Sequence, residues 1–219
     1  MTRRSEQLSQ ALHDYLVAHS TPPDQVLSDL ADETAKRFGD SAGMQIGPEQ
    51  GTFMTLLARL TGARSAIEVG TFTGYSAICV ARGLAEGGRL LCCDVSEEWT
   101  SVARDYWRRA GVSDRIELRL GPGAQTLASL PPEASFDFAF IDADKVGYVE
   151  YWDLIVPRIR PGGTILVDNT LSHGLVVDPD ARDDTTAGIR RFNDHARGDS
   201  RVELVLLPIG DGLTLARKL

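Results

Sequence analysis

The sequence has 219 residues, of which 42% are hydrophobic and 25% charged, with a formal net charge of −8. Such a chain is long enough for one well-buried domain, and its acidic balance excludes a broad electrostatic footprint for nucleic acid. No apolar run approaches the ~20 residues that span a bilayer, and the start, MTRRSEQLSQAL, lacks the core of a signal peptide.

Apolar spacing predicts a first helix over 8–18, stopped by Pro22 and Pro23, and a second over 26–38. Residues 39–50 read as a loop. Pro48 opens a third helix over 49–60. These helices form a prefix, 1–60, that either covers a sheet or lids a site.

The stretch AIEVGTFTGYSAICVARGL then organises the rest. A buried strand over 66–69 breaks at Gly70, Gly74 follows, and a helix begins at Tyr75. Such a glycine turn lets a ligand lie against bare backbone, beside the unpaired N–H groups of a helix start.

Strand and helix alternate from there. Strands are predicted over 89–94, 115–120, 136–141 and 164–167. Helices are predicted over 97–110 with a Ser96 cap, 125–130, 148–156 and 187–196. Pro161-Gly162-Gly163 is read as the turn into the fifth strand, and 170–186 as a polar loop. Residues 202–207 and 214–217 flank PIGDGL as a hairpin. The pattern implies an α/β fold with a doubly wound, mostly parallel seven-stranded sheet. An antiparallel hairpin closes it, and 61–219 forms the core. Cys79, Cys92 and Cys93 have no framework spacing and read as buried free thiols in a reducing cytoplasm.

Acidic residues sit at four strand ends, Glu68, Asp94, Asp142 and Asp168, the edge where open α/β sheets bind ligands. Asp94 follows Gly70 at about the separation, roughly 20 residues, at which a carboxylate holds ribose hydroxyls. That suits any adenosine-bearing cofactor, a nicotinamide or S-adenosylmethionine alike. Asp142, Asp168 and Asn169 are oxygen donors. Two carboxylates and an amide suit a hard ion such as Mg²⁺. Lys145, three residues past Asp142, can take a proton from a hydroxyl at that ion.

With MQIGPEQG, EVGTFTGYS, CDVSEEW, FIDADK, PGGTILVDNTL and LPIGDGLTLARK in place, the chain resembles the cation-dependent class I O-methyltransferases. This is the family of caffeoyl-CoA and catechol O-methyltransferases, and the small bacterial catechol-type members look nearest. The resemblance implies a Rossmann-like methyltransferase fold and S-adenosylmethionine as cofactor. It implies that Glu68, Gly70, Thr71 and Ser76 line the methionine and ribose part. Asp94 would take the ribose hydroxyls, Gly123 would lie by the adenine, and Asp144 and Ile46 would contact the cofactor. Asp142, Asp168 and Asn169 would hold Mg²⁺ or another divalent ion such as Mn²⁺ or Ca²⁺, and Lys145 would be the base. The acceptor would be a small vicinal-dihydroxy phenol touching Asp142, Lys145 and His173, with no nucleic acid or membrane partner. Relatives are commonly homodimers. Two residues depart from the pattern: His173 stands where plant relatives carry a substrate-binding asparagine, and GPGA replaces GPAL. An NAD-dependent oxidoreductase is the alternative that the glycine turn and Asp94 alone allow. A non-catalytic binding protein on the same fold is a third.

Overall fold

The computed structural model describes residues 8–133 and 135–219; residues 1–7 of the expected prefix lie outside them. Three helices come first: α1, Gln10–Ala18, α2, Gln25–Phe38, and α3, Pro48–Leu60. Their starts are written locally. Ser9 accepts from Leu12 N, Asp24 accepts from Leu27 N, and Pro48 occupies the first turn of α3. The expected loop before α3 contains a 3-10 turn, Gly39–Met44.

The alternating part follows as β1, Ser65–Val69, α4, Tyr75–Gly83, β2, Arg89–Asp94, α5, Glu97–Arg109, and β3, Ile116–Leu120. It continues as α6, Gly123–Ser129, β4, Phe136–Ile141, α7, Tyr148–Ile155, β5, Ile159–Val167, and α8, Asp184–Arg197. The chain closes with β6, Val202–Leu207, and β7, Leu213–Lys218. The seven strands lie in the order β3-β2-β1-β4-β5-β7-β6. β1 to β5 are parallel, and β7 runs against both β5 and β6. The order reverses between β1 and β4, which opens a crevice at their carboxyl ends.

Strand residues alternate between two apolar layers. Ala66, Leu90, Phe138 and Leu166 pack on one face with Leu30, Met54, Ile78 and Trp107. Ile67, Leu91, Ala139 and Ile165 pack on the other with Tyr148, Trp152 and Phe192. Cys92 belongs to the first layer and Cys93 to the second. All three cysteines are buried and free, and burial pushes the Cys79 and Cys93 thiols up to about 12. They act as small hydrophobes.

Three local expectations change. Pro161, Gly162 and Gly163 do not precede the fifth strand but lie inside it. The register runs Phe136↔Ile159 and then Phe138↔Thr164, so β5 carries extra residues there and bulges. Within 170–186 a short 3-10 turn forms over Ser172–Val177. α8 begins at Asp184 rather than 187, because the Asp183 side chain accepts from Thr186 N and caps it.

Candidate active site

The register of the sheet brings the acidic strand ends together. Ile141 pairs with Val167, so Asp142 and Asp168 stand side by side one residue further on. Asp142 N donates to Val69 O at 2.8 Å, and Asp168 N donates to Ile141 O at 3.0 Å. Neighbouring strands lie ~4.8 Å apart, which sets the spacing of the two carboxylates. Gly70 N donates to Cys93 O at 2.9 Å, extending the same edge to β2. Gly70 has φ +89°, and a Cβ there would lie 1.8 Å from the Asp142 carbonyl oxygen. No other residue fits the point where β1 leaves the sheet beside β4.

A cavity of about 750 Å³ runs along this edge, within the range of small-molecule sites. Its β1–β2 end is framed largely by backbone. Asp94 Oδ2 accepts from Thr71 N at 2.9 Å and Phe72 N at 2.8 Å, and Oδ1 accepts from Ser96 N at 2.8 Å. Asp94 therefore pins the glycine loop, a role the sequence did not announce, and lines the cavity as well. Gly70, Thr71, Ser76, Ile46 and Gly123 also line it. At Gly123 a Cβ would come within 2.8 Å of Val69 Cγ1, so glycine in place of the family's alanine suits the packing here.

Glu68 sits one layer below. Its side chain has no exposure, and burial drives its carboxyl up to about 8, with the Ser76 and Thr71 hydroxyls opposing in part. Its Oε2 has no hydrogen-bond partner.

The opposite end of the cavity is made of side chains. Lys145 Nζ donates to Asp142 Oδ1 and to Tyr148 Oη, each at 2.8 Å. Tyr148, the first residue of α7, is fully buried. Asp144 caps the 3-10 turn Lys145–Gly147, taking Gly147 N on Oδ2 and the Tyr151 hydroxyl on Oδ1. Asp168 Oδ1 accepts from Asn169 N at 2.7 Å, and Oδ2 accepts from Gln50 Nε2 at 2.8 Å. Burial, and then the Asp142 charge, push Asp168 up to about 7; the Gln50 and Asn169 donors oppose this. Asn169 takes a left-handed conformation, φ +56°, which asparagine tolerates and which turns it into the cavity wall. His173, also left-handed at φ +51°, stands at the rim. Its Nε2 is 3.6 Å from Asp211 Oδ2.

Among the described residues no group of three or more His, Cys, Asp or Glu side chains is placed to hold a metal. The set at this end is two carboxylates and an amide. It fits a hard cation: every donor is oxygen, and the Asp142 charge acts on Asp168 with a repulsion that a shared cation would relieve. Gln50 and Tyr148 escaped the sequence reading. Tyr148 carries a signal in its spacing of three from Lys145, and Gln50 lies inside the MQIGPEQG motif without a role that the motif alone assigns.

A family model described as O-methyltransferase matches residues 17–219. The probable caffeoyl-CoA O-methyltransferase 2 of Dictyostelium discoideum is 38% identical over 217 residues, covering 97% of this chain and 94% of the relative. Catechol O-methyltransferase domain-containing protein 1 of Mus musculus is 37% identical, covering 100% of this chain and 85% of its own. The O-methyltransferase from Bacillus cereus, solved in complex with S-adenosylhomocysteine, superposes with a TM-score of 0.87 at 34% identity. It covers 95% of this chain and 97% of its own. TomG from Streptomyces achromogenes, solved with S-adenosylmethionine, gives 0.85 at 33%, covering 95% and 96%. Nothing among these similarities supports an oxidoreductase. The chain belongs to the O-methyltransferase family and is an S-adenosylmethionine-dependent O-methyltransferase.

Proposed function

We propose that the chain methylates one hydroxyl of a small vicinal-dihydroxy phenol, with a divalent cation held by Asp142, Asp168 and Asn169. The observation that carries this reading is the meeting of Asp142, Lys145 and Asp168 in a cavity that the glycine turn also lines. The names of the relatives agree, since caffeoyl and catechol groups are both vicinal diols. A bound Mg²⁺, Mn²⁺ or Ca²⁺ would supply Lewis acidity and a two-point seat for adjacent oxygens.

Lys145 is the base on this reading. Its Nζ donates to Asp142 Oδ1 and Tyr148 Oη, which fixes its place beside the acceptor's hydroxyl. The proton passes to Nζ, and the acceptor oxygen is left as the nucleophile. The loop pinned by Asp94 holds the cofactor's ribose end, with Gly70, Thr71, Ser76 and Ile46 along its length and Asp144 at the methionine end. Gly123, backed by Tyr151, faces the adenine. Glu68 supports the loop from beneath. An anion and a sulfonium cation react to give neutral products, so exclusion of water by the walls favours transfer. Most of the protein's contribution is positioning.

A methyl-transfer assay across catechols and their monohydroxy counterparts, with EDTA and then with Mg²⁺ restored, tests the reading. Catechols should react only with the metal present. Equal rates for an isolated phenol, or full activity in EDTA, would overturn it.

We also infer one methyltransferase unit with residues 1–60 as its cap, acting as a homodimer in the cytoplasm. No helix of the described residues is long and apolar enough to cross a membrane. α1 has no buried residue, and its Leu12, Tyr15 and Leu16 stand exposed. A nine-residue helix is marginal alone in water and gains from a partner over that stripe. Light scattering should give twice the monomer mass, and Leu12→Asp should halve it; a monomeric unaltered protein rules the dimer out.

A further inference from the structure

Gln50 lies in the MQIGPEQG stretch without a role that the stretch assigns, yet it is only 2% exposed and holds a carboxylate 118 residues away. It lies in the first turn of α3, in the helical prefix. Nε2 donates to Asp168 Oδ2 at 2.8 Å, while Asp168 Oδ1 accepts from Asn169 N at 2.7 Å. Each oxygen is therefore held by one N–H and keeps a lone-pair direction free. Rotation of the carboxylate would break both bonds.

The amide is confined from its other side. Gly210, in the loop between β6 and β7, has φ +54°, and a Cβ there would lie 2.6 Å from Gln50 Oε1. Any side chain at 210 would push the amide away from Asp168. The same loop is tied to the segment after Asp168: Thr170 N donates to Gly212 O and Leu171 N to Asp211 O, each at 2.9 Å. The prefix and the end of β5 thus meet on one carboxylate, and the closing hairpin borders both of them. A contact needed only to dock α3 on the sheet would not require a polar amide aimed at a carboxylate.

We propose that Gln50 is a positioning residue for the divalent cation, a role that rests on the metal reading above. It holds Asp168 in the orientation that turns its free lone pairs toward the ion shared with Asp142 and Asn169. Partners of this kind typically set about 10–100-fold in metal affinity.

The test is direct binding rather than turnover. Mn²⁺ is titrated into the purified protein and followed by electron paramagnetic resonance, alongside S-adenosylhomocysteine affinity and melting temperature. Gln50→Met keeps the volume and removes the donor. Its Mn²⁺ Kd should rise about 10–100-fold, with S-adenosylhomocysteine affinity and melting temperature close to those of the unaltered protein. If that variant does not fold, Gln50→Asn, whose amide stops one methylene short of Asp168, is read in its place with the same expectation. Mn²⁺ affinity within about twofold of the unaltered protein overturns the positioning role and leaves the metal site standing. A parallel loss of stability and of S-adenosylhomocysteine affinity makes Gln50 a packing residue and overturns it too. If the unaltered protein takes up no Mn²⁺, the metal reading falls and the proposal falls with it.

Discussion

The two ends of the cavity are built in different ways. At the β1–β2 end, ligands of the chain to itself are backbone groups: Asp94 collects three N–H donors, and Gly70 leaves the sheet with no side chain. At the other end, Lys145, Asp142, Gln50 and Asp168 hold one another through side-chain atoms. A backbone-built end depends on a few conformations. A side-chain-built end depends on individual donors and acceptors. Substitutions should therefore fail differently at the two ends.

The largest expected effect is Gly70→Ala. It places a methyl on a carbonyl oxygen at a positive φ, so more than about 3 kcal/mol of stability should be lost. Chemical denaturation measures it, and a variant as stable as the parent would show that the edge is softer than its geometry. Next is Lys145→Ala. Transfer should slow by roughly 10²–10⁴-fold, the range for a positioned base, with S-adenosylhomocysteine affinity intact by calorimetry. Full activity at neutral pH would remove the lysine from the chemistry.

Glu68→Gln sharpens the contrast, because an acid is hidden under the backbone-built end. Burial holds Glu68 near 8, above its ordinary 4.5. As pH rises between those values, the unfolded chain ionises this group and the folded chain does not. The parent should therefore lose stability relative to Glu68→Gln, on the order of 2–4 kcal/mol between pH 5 and pH 8. Parallel stability curves for the two proteins would show that Glu68 is ionised in the fold. The smallest effect belongs to Asp94→Asn. One oxygen still accepts while the other position becomes a donor facing N–H groups. S-adenosylhomocysteine binding should weaken by ~1–3 kcal/mol, and unchanged affinity would free Asp94 from both its loop and its ribose role.

The same contrast explains what could be read from the chain. EVGTFTGYS is contiguous, so its strand, turn and helix start are legible in hydrophobic period and glycine placement. FIDADK and VDNT were legible as strand ends, and parallel register did the rest by setting Asp142 beside Asp168. Asp94 was placed at the right edge, but its hold on Thr71 and Phe72 depends on how the loop returns, which no residue spacing encodes. Pro161-Gly162-Gly163 was read as punctuation; neighbouring β4 recruits it into a bulged strand. Gln50 was visible only as a letter of MQIGPEQG, because its meaning is a distant contact that no residue spacing encodes. The shift of α8 to Asp184 was a matter of which aspartate caps.

Gln50 also has a history in time. It leaves the ribosome 118 residues ahead of Asp168, which at about 5–20 residues per second is a wait of roughly 6–24 s. Gly210 comes later still. The glycine turn and its helix can form while the chain is being made, but the acceptor end closes only when the last hairpin arrives. On the proposed reading, the acceptor end should be completed after the end that takes the cofactor. In ribosome-bound nascent chains stopped before residue 202, amides of β1 and α4 should already be protected while those of Thr170 and Leu171, which need Gly212 and Asp211, are not.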